Sequence, residues 1–156
     1  MNLSLPLKSK KLFLFFIPLI LISCKVMLVG AYDEVTDLGI QKVQNDISTI
    51  IVKLERNIDN NTPALNDYKN FTAQYETIAG EMETLRIRCI SIKKYDLVLQ
   101  QVTLLKSNIA DLEKLHKLGI TDKGLLNNIK TNFEFQFSAI IKLQNGLKRQ
   151  KNPRPY

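Results

Sequence analysis

CISIKKYDLV, residues 89–98, decides the fold, because it either turns the chain or lets one helix run on through it. Before it, Tyr68, Phe71, Tyr75, Ile78, Met82, Leu85, Cys89 and Ile92 recur at steps of three and four, the spacing that lines up side chains on one face of an α-helix. After it, Val98, Val102, Leu105, Ile109, Leu112 and Leu115 repeat those steps. Lys93, Lys94 and Asp96 interrupt the stripe, yet no glycine or proline marks the interruption. A turn here makes two helices that fold back on each other. A continuous helix makes one long rod in an elongated or oligomeric molecule.

The same periodicity extends both ways. Toward the N-terminus, Ile40, Val43, Ile47, Ile50, Ile51, Leu54 and Ile58 predict a helix over 38–58, with Asp37 as its N-cap. NIDNNTPAL, residues 57–65, breaks it, and Thr62 followed by Pro63 has the order of a cap and first helical position, where proline loses no hydrogen bond. Toward the C-terminus, HKLGITD closes the third helix at Gly119 and offers Thr121 as the cap of a fourth, which carries Leu126, Ile129, Phe133, Phe137, Ile140, Leu143 and Leu147. No stretch alternates with period two long enough to be a strand. Four apolar stripes cannot be hidden singly, so the expected fold is all-α, an antiparallel four-helix bundle over 38–148. An elongated helical hairpin with fused second and third helices is the alternative.

In an up-down-up-down bundle the second and fourth helices run parallel. Tyr68, Phe71 and Tyr75 on one, with Phe133 and Phe137 on the other, then gather at one end. Such rings either fill a wide core layer or line a hydrophobic pocket.

The chain has 156 residues, one domain's worth, and a formal charge of +7. Lys8, Lys10 and Lys11 precede an apolar run; without residues 1–23 the charge falls to +4, with 19 basic residues against 15 acidic ones. A nucleic-acid partner is therefore not expected. Lys148, Arg149, Lys151 and Arg154 crowd the C-terminus, where residues 149–156 read as a short, proline-containing basic tail suited to a helix end or an anionic surface. With two cysteines, Cys24 and Cys89, disulfide staples do not organise the fold.

MNLSLPLKSKK is a basic leader, and LFLFFIPLILI, residues 12–22, is eleven apolar residues long, right for a signal peptide and too short to cross a bilayer as a helix. Leu21 and Ile22, which end this run, together with Ser23 and Cys24 spell LISC, which resembles the lipobox of bacterial lipoproteins. The resemblance implies cleavage after residue 23, acylation of Cys24, and a lipidated tether over 24–37 that attaches the chain to a lipid bilayer. Several acyl chains hold a membrane stably where a single one does so only marginally. Lys25 is not the aspartate associated with inner-membrane retention, so the outer membrane, facing the periplasm, is the implied location in a diderm cell. Two other processings fit the same residues. VMLVGA extends the apolar run into an uncleaved anchor interrupted by Lys25 and Pro18, and Val29 with Ala31 offers an ordinary cleavage site ahead of Tyr32.

Chemistry is thinly supplied. Glu113 and His116 have the E-x-x-H spacing of di-iron bundles, but that site needs two such pairs and the chain has one histidine, so His116 reads as a polar residue in a last helical turn. Asp33, Glu34 and Asp37 read as an acidic approach to a helix start, not as a calcium loop. Cys89 lies on the apolar stripe and is expected in the core. No cofactor, metal site or catalytic residue is expected. The stretch AYDEVTDLGIQKVQNDISTIIVKLER, with EKLHKLGIT and AIIKLQNGLKR, is similar to small, functionally uncharacterised helical bacterial lipoproteins; their cysteine sits just before the Tyr-Asp stretch, whereas KVMLVG intervenes here. The expected role is a lipid-anchored, non-enzymatic structural or interaction module whose partner is another envelope protein. The alternatives are a periplasmic binder of a small hydrophobic or lipid ligand at the aromatic end and, third, an envelope hydrolase.

Overall fold

A computed structural model describes residues 30–151; Leu21, Ile22, Ser23 and Cys24 lie outside the described residues. Four helices, α1 (Glu34–Asp59), α2 (Thr72–Ser91), α3 (Asp96–Leu118) and α4 (Lys123–Lys151), account for most of them, and two short 3-10 turns, Pro63–Asn66 and Tyr68–Asn70, separate α1 from α2. Among the described residues there is no strand. The fold is an all-α four-helix bundle.

Side-chain pairs across the helices establish that neighbours run antiparallel. Asp33 at the start of α1 pairs with Arg88 near the end of α2 (2.6 Å), and Lys106 of α3 reaches Glu83 of α2 (2.6 Å). Asn108 and Gln136 meet between α3 and α4, and Lys123 at the start of α4 pairs with Asp59 at the end of α1 (2.5 Å). Each helix packs on the next, and α4 closes the ring on α1. The four apolar stripes converge on one interior, where Ile40, Ile47, Ile78, Met82, Leu105 and Ile140 are fully buried. Cys89 is in this core, as its register implies.

The chain does turn within CISIKKYDLV, which excludes fused second and third helices. α2 stops at Ser91, Lys94 takes a left-handed conformation (φ 59°), and Tyr95 drops into the core ahead of α3. A residue other than glycine costs roughly 1–2 kcal/mol in that conformation. Here the turn is held on two sides, by burial of the Tyr95 ring and by the amide of Gly30, which donates to the Lys94 carbonyl at 2.7 Å. The close approach requires glycine: a Cβ on Gly30 would sit 2.7 Å from the Lys93 carbonyl oxygen.

Several boundaries differ from the sequence expectation. α1 begins four residues before 38 because Asp33, not Asp37, is its cap, its carboxylate accepting from the Thr36 amide (2.9 Å) and hydroxyl (2.7 Å). Asp37 is inside the helix and accepts from the Tyr32 hydroxyl (2.8 Å), so the expected tether is helical over its last residues. Pro63 opens a 3-10 turn, not α2, while the Thr62 hydroxyl donates back to the Asn57 carbonyl in the last turn of α1 (3.1 Å) and makes no capping hydrogen bond to the turn it precedes. Tyr68 thus precedes α2. Gly119 ends α3 with φ 96°, as expected, but Asp122 and not Thr121 caps α4, accepting from the Leu125 amide at 2.6 Å. α4 runs on to Lys151, so the first three residues of the expected tail are helix.

Candidate functional site

The E-x-x-H pair is the first place to look for chemistry, and its two members serve different neighbours. His116 lies in the last turn of α3, as expected, and is buried there because the 3-10 connection folds over the end of α3. Its Nε2 lies 2.7 Å from the Asn66 carbonyl and its Nδ1 lies 3.0 Å from the Tyr75 hydroxyl. A carbonyl can only accept, so Nε2 carries the proton and Nδ1 accepts from Tyr75; both nitrogens are used in one neutral tautomer. Burial lowers the imidazole pKa, with the Asn66 carbonyl pulling the other way. Glu113 instead accepts from the Tyr68 hydroxyl (2.6 Å) and pairs with Lys117 (2.8 Å), which together hold its pKa down. Neither group of the pair is placed as a general base for the other.

Asn66 ties this end together and carried no sequence signal. Its side chain donates to the Leu54 carbonyl (3.1 Å) and accepts from Asn57 (2.8 Å), while its own carbonyl receives His116. The surface depression of about 390 Å³ beside Tyr68 and His116 therefore has a floor of polar groups already satisfied within the protein.

The aromatic residues expected at one end divide into two sets. Phe71, Tyr68 and Tyr75 pack around His116, with ring centroids 4.8, 5.9 and 5.7 Å from the imidazole. Phe133 and Phe137 stack on each other at 6.0 Å. Phe71 and Tyr75 are buried, so they fill core, while Tyr68 is only partly covered.

Phe133 has a second role, as one wall of a cleft of about 330 Å³ between α3 and α4. Leu112, Leu115 and Ile129 supply its other apolar surface, Asn108 and Gln136 its polar interior, and Asp111 with Asn132 its exposed rim. Gln136 is 9% exposed; its Oε1 accepts from Asn108 Nδ2 at 2.9 Å, and its Nε2 has no partner among the described residues. A buried donor left unpaired costs roughly 1–3 kcal/mol. A glutamine on the core-facing side of a helix was the only sequence sign of it.

The remaining candidates are structural. Cys89 is buried and its thiol is pushed up to about 11 by burial, far from a reactive thiolate. Asp33 is committed to Thr36 and Arg88, whose guanidinium holds its carboxyl well below the usual range. No three or more His, Cys, Asp or Glu side chains among the described residues are grouped to hold a metal ion, and no described helix is long and apolar enough to cross a membrane. No family model, curated protein or solved structure matches the chain.

Proposed function

We propose that this protein is a lipid-anchored module of the bacterial cell envelope that works by binding other envelope components, not by catalysis. The observation that carries the reading is LISC at 21–24, at the end of an eleven-residue apolar run that follows a basic leader. In this reading Cys24 is acylated and the bundle faces the periplasm, on the outer membrane where the cell has one.

The geometry gives the anchor a consequence. Gly30 is already seated on the α2–α3 turn, so six residue steps separate it from Cys24, at most about 20 Å of chain. The bundle is then held at the bilayer surface by that end. Lys148 and Lys151 of α4 lie at the same end, over the Tyr32 ring at 5.5 and 5.8 Å, so the basic terminus of α4 faces the lipid. Cleavage after Ala31 would remove the Gly30 amide that holds the Lys94 carbonyl, which favours retention of this segment. The non-catalytic part of the reading is supported by His116, both of whose nitrogens are occupied inside the core.

The intact mass of the protein recovered from membranes tests the anchor. The expected mass corresponds to residues 24–156 plus acyl groups on Cys24, and the Cys24→Ala chain should take up no labelled fatty acid. An N-terminus at Tyr32, or an uncleaved and unacylated chain, would overturn the proposal.

A further inference from the structure

We infer that the cleft between α3 and α4 is a binding site for a small, uncharged carbonyl compound with an apolar body, such as a medium-chain amide. The site is independent of how the N-terminus is anchored. Leu112, Leu115, Ile129 and Phe133 offer the apolar surface, and a volume of about 330 Å³ lies at the lower end of the range of small-molecule sites. Gln136 lines it, more than nine-tenths buried, with one half of its amide bonded to Asn108 and the other half unpaired among the described residues. The unpaired group is a donor. Nε2 is covered by its neighbours, but the terminal torsion of glutamine is soft, so rotation about it turns Nε2–H toward a carbonyl oxygen lodged among the four apolar side chains.

The charges on the wall select against acids. Among the described residues Asp111 is the one ionised side chain lining the cleft, with no lysine or arginine beside it in the lining; its carboxylate is exposed and meets Lys114 at 2.9 Å. A carboxylate ligand would therefore give up water without gaining a cation among the lining residues, beside an Asp111 charge that Lys114 only partly offsets, whereas a neutral amide or ester presents the same acceptor without that cost. The depression beside His116 is the larger cavity, but its buried polar side chains, His116 and Asn66, are paired within the protein.

The test uses the full chain in nanodiscs, with labelled glutamine side-chain amides and isoleucine methyl groups, titrated with octanamide and with octanoate. Octanamide should move the Gln136 side-chain amide and the Ile129 methyl resonances together and saturably, at a concentration at least tenfold below that needed for octanoate. Gln136→Met keeps the shape and removes the donor, so the Ile129 response to octanamide should weaken at least tenfold. Asp111→Asn should narrow the gap between the two probes. An unmoved Gln136 amide, equal response to octanoate in the unaltered chain, or an unchanged affinity in Gln136→Met would overturn the inference; the first two readings need no variant.

Discussion

His116 has no freedom to ionise quietly. As a neutral imidazole it accepts from Tyr75 and donates to the Asn66 carbonyl; protonated, it would set a second N–H against the Tyr75 oxygen inside the core. Its pKa in the folded protein is lowered from the usual 6.5, chiefly by burial, so the unfolded chain takes up the proton first as the pH falls. Stability is complete above about pH 6.5 and declines below it, at no more than about 1.4 kcal/mol per pH unit, the slope for one proton. Urea denaturation at pH 7.5, 6.0 and 5.0 should show this decline, and His116→Gln should flatten it. The carboxylates act in a separate window: Glu83, held down to about 2 by Arg86 and Lys106, keeps its contribution above the ordinary carboxylate range and loses it as the pH falls from that range toward 2. At pH 7.5, Tyr75→Phe should cost about 1–3 kcal/mol by leaving Nδ1 unpaired, read as a lower urea midpoint with unchanged slope.

Helix ends and turns set where each element begins. The Asp33 carboxylate serves the first turn of α1 and also the Arg88 guanidinium of α2, so it aligns two helices as well as capping one. Asp33→Ala should therefore cost about 1–2 kcal/mol, mostly the lost cap, since Arg88 is partly exposed and regains water. A thermal melt of that variant beside Arg88→Ala would separate the two contributions. The α2–α3 turn makes a different demand, because Lys94 sits at φ 59° where glycine is at ease and a β-branched residue is not. Lys94→Val should be less stable than Lys94→Gly by about 1–2 kcal/mol, a comparison in which both variants lose the lysine side chain equally. Equal stability of the two would mean that the turn relaxes out of the left-handed region.

At the scale of the whole molecule, the core is closed within the described residues. Ile40 through Leu147 supply its buried side chains, and Gly30 supplies the outermost tie at the end nearest the leader. A chain comprising residues 30–151 should therefore fold alone, with a helical circular dichroism spectrum and a single cooperative urea transition. A broad, non-cooperative transition would show that residues 1–29 contribute packing as well as attachment. The antiparallel arrangement is what places the terminus of α4 beside Tyr32, so that entry and exit of the chain share one end of the bundle.

The number of helices, their inward faces and the place of Cys89 were legible in the sequence, because a period of three and four has one way to become buried. Gly119 was legible too, since the left-handed conformation there favours its residue type. The caps were legible only as residue types: Asp33 and Asp37 are both aspartates near a helix start, and Tyr32 and Arg88, distant or ambiguous in sequence, decide which one caps. Lys94 gave no turn signal, as its conformation is imposed by Gly30 and the buried Tyr95. The polar interior was the least legible part. His116 and Asn66 read as ordinary polar residues and Gln136 differs only in its core-facing register; only the folded chain brings His116 and Asn66 into hydrogen bonding while leaving the Gln136 donor without a partner among the described residues. Periodicity records which face is buried; hydrogen bonding between residues far apart in sequence depends on where the helices meet.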